Sequence, residues 1–160
     1  MHVCFMTRAV PAHPGAGGME VHGSVLTRGL AAGGDRVTVF TTAHPSGQPE
    51  TADGGVRIVH LPETEPGRYS ESFFRASAAS LEELHRRDPV DVVLGQSSGA
   101  RGFLLAGLHR SLGIPSVAIF HSHAVWEVYG RWNSASGFLG KLKAAVWGIR
   151  MLEEIVLRSR

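Results

Sequence analysis

Cysteine, lysine and long apolar runs are scarce in this 160-residue chain. Its one cysteine, Cys4, excludes an internal disulfide and any metal site built on several thiolates, which fits a reducing compartment. Only two of its 16 basic residues are lysines, Lys141 and Lys143, and the arginines are dispersed, so there is no polybasic tail. Against 14 acidic residues the net charge is +2, too small to draw in nucleic acid. No stretch of about 18 apolar residues occurs, so no transmembrane segment is expected. The short N-terminal apolar run ends at Arg8 with no basic segment before it, unlike a secretory leader. A Walker phosphate loop is missing too, since no Gly-Lys-Ser/Thr is present. The whole chain, 43% hydrophobic and 19% charged, has the composition of a globular protein. The expectation is one cytoplasmic domain over residues 1–160.

Apolar runs alternate with helical patterns along the chain. His2–Met6, Val37–Phe40, Val56–Leu61, Val90–Leu94 and Ser116–Phe120 are β-branched or apolar stretches of strand length. A helix is predicted from Met19, with Val21, Val25, Leu26 and Leu30 on its inner face and Gly33-Gly34 at its end. Phe74, Ala78 and Leu81 mark a second helix running to Arg87. Leu105, Leu108 and Leu112 mark a third, with Ser98 as the favoured N-cap, and Leu142, Val146, Ile149 and Val156 a last one. Residues 43–55 read as a loop and 121–136 as irregular or partly helical. Such alternation predicts an α/β fold: a Rossmann-like parallel sheet, strand one central, with helices on both faces. Ligands then sit beyond the carboxyl ends of the strands, where residues 7–18, 95–99 and 121–136 fall.

Gly15, Gly17 and Gly18 lie between strand one and a helix, where backbone N–H groups and the helix dipole favour a phosphate. A structural turn feeding the helix is the competing reading. The dinucleotide fingerprint does not fit: counted from Gly15 its sixth position is Glu20, about eight residues separate Met6 from Gly15, and Thr41-Thr42 stand where an acid belongs. Glu20 itself reads as an acid in the first helical turn, favourable to the dipole by a few tenths of a kcal/mol.

The opening segment MHVCFMTRAVPAHPGAGGMEVHGSVLTRGLAAGGDRVTVFTT resembles the start of family 4 (group 1) glycosyltransferases of the GT-B fold. The likeness continues through Asp91–Leu94 and LGIPSVAIFHSH. It implies a Rossmann-like, acceptor-binding half of a retaining glycosyltransferase, whose donor-binding C-terminal domain lies outside this chain. That family carries two glutamates separated by seven intervening residues in its donor half; Glu63 and Glu71 have the spacing without the neighbours. The resemblance places Gly17 and Gly18 at the diphosphate of a nucleotide-sugar co-substrate, with no separate cofactor. It makes His121, directly after the fifth strand, the catalytic contact to the transferred sugar.

An imidazole there can hydrogen-bond a sugar hydroxyl and modulate its proton at neutral pH. A satisfied structural histidine, or a metal ligand through His121-x-His123, are the alternatives. No third and fourth metal ligands accompany the pair, so no metal is expected, and His123 is placed on the loop surface. Gln96 and Ser97 leave strand four as candidate acceptor contacts. Trp126 and Tyr129, spaced with Trp132, suit either packing or stacking on a sugar face or apolar acceptor tail. The expected partners are a nucleotide-sugar donor and a sugar, lipid or small-molecule acceptor, with attachment at the membrane periphery if the acceptor is a lipid. A non-catalytic nucleotide- or sugar-phosphate-binding module and another GT-B enzyme, such as a sugar-nucleotide epimerase, are the alternatives.

Overall fold

The computed structural model describes the backbone of residues 1–121 and 124–158 and the side chains of 1–121 and 128–149. The chain forms two compact units, Met1–Ile119 and Phe120–Arg160.

The first unit is built on a six-stranded sheet of order β3-β4-β2-β1-β5-β6. Its strands are β1 (His2–Met6), β2 (Arg36–Thr42), β3 (Glu50–Asp53), β4 (Val56–Leu61), β5 (Val92–Gln96) and β6 (Ser116–Ile119). All pairs are parallel except β3–β4, and β1 lies between β2 and β5 as predicted. β1 is buried along its whole length, as an apolar central strand should be.

Strand parity separates the two faces. Val3, Phe5, Val37, Val39, Val56 and Ile58 form one core face, against which Leu26, Leu30 and Ala31 of α1 (Gly18–Ala32) pack. Phe40 and Val59 point the other way, toward Ala79 and Leu84 of α2 (Glu71–Arg87). The N-cap of α2 is Ser70, whose hydroxyl accepts from Phe73 N–H at 3.2 Å.

Four expectations change. The stretch 43–55 is no plain loop, because β3 folds back on β4 with Asp53 opposite Val56. The hairpin turns at Gly54-Gly55, both at positive φ (57° and 83°), as a two-residue loop requires. On α1 the buried residues are Glu20, Gly23 and Thr27, whereas Val21 and Val25 are exposed. A Cβ at Gly23 would stand 3.2 Å from the Phe5 ring, so a small residue lets the helix approach the sheet. The third helix is two short ones, α3 (Arg101–Leu105) and α4 (Leu108–Ser111), broken at Gly107 with φ 70°. Ser98 does not cap α3: the N-cap is Ala100, with no side-chain bond.

The second unit contains α5 (Ala124–Ser134) and α6 (Gly137–Arg158). The Arg131 guanidinium lies over the Trp147 ring, 4.4 Å from its centroid. Among the described residues, no helix is long and apolar enough to cross a membrane.

Candidate functional site at the carboxyl ends of β1, β2, β4 and β5

Four strands deliver their loops to one end of the sheet, and long-range polar bonds tie those loops together. Thr42, the last residue of β2, is a hub: its hydroxyl donates to the Arg8 carbonyl at 2.6 Å and accepts from Gly67 N–H at 2.8 Å. It therefore joins the loop after β1 to the loop after β4. This is one of the two threonines standing where a dinucleotide fold would carry an acid.

His13 braces the first loop from below. Its Nδ1 accepts from Val10 N–H at 3.2 Å, which leaves the proton on Nε2, facing the carbonyls of Thr42 and Ala43 at 3.3 and 3.2 Å. His44 and His60 lie near it, with ring centroids 6.3 and 5.8 Å away. The His60 Nδ1 faces the Thr42 carbonyl at 3.4 Å and its Nε2 faces Thr51 Oγ1 at 2.9 Å. These nitrogens serve loop and strand contacts, and among the described residues no cluster of His, Cys, Asp or Glu suits a metal ion. Cys4 is buried in β1, and burial pushes its thiol far up.

Burial also lowers the pKa of His60, with further depression from His44 and His13 opposed by the Thr42 carbonyl. His2, at the opposite end of the sheet, is lowered chiefly by burial and by Arg36. Both histidines therefore favour the neutral form when folded. As pH falls through the ordinary value of about 6.5, the unfolded chain takes up protons first and stability declines; above it, this contribution is fully present. Melting temperature should drop between pH 7.5 and pH 5.5, and His60→Gln should flatten the profile. Equal melting temperatures at both pH values would contradict the assignment.

Glu20 does more than complement a dipole. It is 3% exposed, its Oε2 accepts from Gly17 N–H at 2.8 Å, and its Oε1 meets Arg8 at 3.1 Å. The first contact is half of a capping box, the half a glycine N-cap permits. The second neutralises a carboxylate that would otherwise oppose an anion at the start of α1. Arg8 also reaches the Gly67 carbonyl at 3.4 Å.

Gly17 and Gly18 are exposed at this helix start. Gly17 has φ −134°, ordinary extended backbone, and a Cβ on Gly18 would meet nothing within 4 Å. Neither chain conformation nor packing within the described residues asks for glycine at Gly18. The N–H groups of Gly18, Met19 and Glu20 precede the first helical bond, from Val21 to Gly17, and so have no intrahelical acceptor.

The loop after β5 adjoins the same helix start. Gln96 is buried; its amide donates to the Met19 carbonyl at 2.7 Å and its Oε1 accepts from Thr7 at 2.6 Å, while its own carbonyl accepts from the Tyr69 hydroxyl. Its side chain thus ties β1, β5 and α1 together. Ser97 is half-buried, with φ 49°. The spacing Gly95-Gln96-Ser97-Ser98-Gly99 is Gly-x-Ser-x-Gly on a strand–turn–helix segment, a signal present in the sequence itself. A Cβ at Gly99 would fall 2.0 Å from the Met6 carbonyl oxygen, so this turn presses onto the end of β1.

The structure therefore brings together Gly17, Gly18, Gln96 and Ser97. His121, Trp126 and Tyr129 belong to the second unit. His121 is exposed two positions after β6 ends, and Tyr129 is exposed on α5. Trp126 lies in α5, its side chain outside the described residues, as is His123 altogether.

A mainly parallel sheet with polar loops and a glycine-led helix at its carboxyl edge defines a Rossmann-like domain. The family described as "Glycosyl transferase 4-like domain" matches residues 17–159, and the chain belongs to that family. Two curated relatives named D-inositol 3-phosphate glycosyltransferase are each 31% identical. The one from Xylanimonas cellulosilytica aligns over 129 residues, 77% of this chain and 27% of its own length. The other, from Arthrobacter sp., aligns over 125 residues, 71% of this chain and 29% of its own. The chain thus spans somewhat over a quarter of the relatives' length. Among solved structures it shares the fold of sucrose-phosphate synthase from Thermosynechococcus elongatus (TM-score 0.58, 18% identity, 90% of this chain and 39% of that one). It also shares that of the calicheamicin glycosyltransferase CalG4 (TM-score 0.50, 22% identity, 83% and 36%).

Proposed function

We propose that this chain is the acceptor-side half of a retaining glycosyltransferase that uses a nucleotide-diphosphate sugar as co-substrate and needs no separate cofactor. The observation that carries the reading is the exposed Gly17-Gly18 start of α1, where Gly17 has ordinary extended backbone and a Cβ on Gly18 would meet nothing within 4 Å. When the bond between the sugar's anomeric carbon and the diphosphate breaks, charge grows on the leaving phosphate. The N–H groups of Gly18 to Glu20 and the positive end of the α1 dipole suit that charge. The Arg8–Glu20 pair keeps the Glu20 carboxylate from opposing it. The acceptor oxygen forms the new bond to the anomeric carbon and gives up its proton. The reading assigns His121 to the transferred sugar and Trp126 and Tyr129 to the acceptor. The names of the relatives make a small phosphorylated polyol the first acceptor class, with D-inositol 3-phosphate as probe.

The test is a donor-panel assay with that probe on the complete coding sequence, comparing the native protein with Gly18→Val. A valine side chain has open space in the fold but occupies the approach to the helix start. Donor KM should rise roughly tenfold or more, the worth of one hydrogen bond to a charged group, at unchanged melting temperature. Unaltered donor KM would remove the glycine pair from the donor site.

A further inference from the structure

Charge is distributed differently in the two units. Seven arginines of the first unit pair with carboxylates. In the second, residues 128–152 contain no Asp or Glu, yet they carry Arg131, Arg150 and both lysines of the chain, Lys141 and Lys143. Arg131 and Lys143 are exposed, and among the described residues neither has a carboxylate partner. Both line one cleft of about 690 Å³ between α5 and α6, together with Gly130, Ser134, Gly140 and Trp147. The Trp147 ring under the Arg131 guanidinium steadies a long side chain that would otherwise be free to turn, while the N–H edge of the fork stays available. The two helices close on each other at Gly148, where a Cβ would stand 3.2 Å from the Val128 methyls. At Gly130 a Cβ would meet nothing within 4 Å, so glycine there leaves room in the cleft and serves no packing contact.

We infer that the cleft between α5 and α6 binds a phosphate monoester, whose oxygens accept from the Arg131 fork and the Lys143 ammonium. Two cations sharing a cleft repel each other until an anion joins them. A carboxylate carries one charge and neutralises one of the pair. A phosphate monoester carries about −1.5 to −2 at pH 7 and presents three acceptor oxygens, enough for a fork and an ammonium together. The volume also admits the body of a small molecule attached to that phosphate. The monoester can arrive on a soluble molecule or on a lipid headgroup; the chemistry read by the two cations is the same. This goes beyond the glycosyl-transfer reading and does not depend on it.

The test follows the backbone amide chemical shifts of residues 130–147 in the protein made from the complete coding sequence, titrated with inorganic phosphate. These shifts should move and saturate. Arg131→Gln and Lys143→Gln should each weaken the binding roughly tenfold, the low end for a hydrogen bond to a charged group, as suits an exposed site. Lys141→Gln is the control. It removes the same charge from the same helix but not from the cleft, because the Lys141 ammonium lies over Trp132, 5.6 Å from the ring centroid. That variant should bind phosphate as the native protein does. If Arg131→Gln loosens the helix pair, Lys143→Gln against Lys141→Gln decides the matter. Two arms separate the sources: D-inositol 3-phosphate in solution, and co-sedimentation with phosphatidylcholine vesicles containing phosphatidic acid. Tighter saturation by the first assigns the site to a soluble monoester; sedimentation lost in Lys143→Gln and kept in Lys141→Gln assigns it to a lipid one. Unmoved shifts, or equal weakening by Lys141→Gln and Lys143→Gln, would overturn the inference and leave the glycosyl-transfer reading standing.

Discussion

Gly102→Ala is expected to destabilise the protein by more than about 3 kcal/mol, a loss of roughly 6–12 °C in melting temperature. A Cβ at that position in α3 would stand 1.9 Å from the carbonyl oxygen of Phe74, 2.6 Å from its carbonyl carbon and 2.8 Å from its Cα. All three atoms are backbone of α2, so no side chain can rotate out of the way. Either the contact between α2 and α3 opens, or the loop from β5 shifts from the end of β1, where Gly99 is equally tight. Gly29→Ala is the control, because a Cβ there meets nothing within 4 Å on an exposed position of α1. It should stabilise by about 0.5–1 kcal/mol, since alanine loses less entropy in a helix. Thermal melts of the two variants check both signs. A Gly102→Ala protein that melts with the native one would mean α2 and α3 are not held as described.

His121→Ala should lower turnover by roughly 10²–10⁴ in the complete enzyme if the imidazole assists proton movement at the reacting sugar. The residue is exposed two positions after β6 ends. Deleting an exposed side chain outside the sheet should leave circular dichroism and melting temperature near native values. The drop should therefore appear in kcat rather than as loss of folded protein. Native kcat in a folded His121→Ala protein would take this histidine out of the mechanism.

Particular residues show why parts of this molecule can be read from sequence and others cannot. β1, β2, β4 and β5 are runs of Val, Ile, Phe and Leu whose burial follows from composition alone, and the parallel order follows from their alternation with helices. β3 escapes because Glu50-Thr51-Ala52-Asp53 is a short, polar edge strand with little side chain to bury; the Gly54-Gly55 pair was the available signal. The inner face of α1 is misread from hydrophobicity because close approach to Phe5 selects Gly23, and an ion pair selects Glu20. Apolar periodicity records neither demand. In the site, Gly17-Gly18 and the Gln96-Ser97 turn stand out locally by glycine content. The Arg8–Glu20 pair and the Thr42 hub do not, because their partners are 12 to 34 positions away and meet only after the sheet has formed. The position of Ser97 was legible as Gly-x-Ser-x-Gly spacing; its φ was not.

The central place of β1 sets an order on assembly during synthesis. Residues 2–6 pair on one side with 36–40 and on the other with 92–95. Once β2 has emerged, β1 has one neighbour and one bare edge. That edge stays bare while about fifty more residues are made, roughly 3–10 s of translation. Over that interval the nascent chain offers the ribosome's surroundings its most apolar strand with unpaired N–H and carbonyl groups. The step that ends this exposure is the arrival of Val92–Gln96, whose closing turn then settles Gly99 onto Met6.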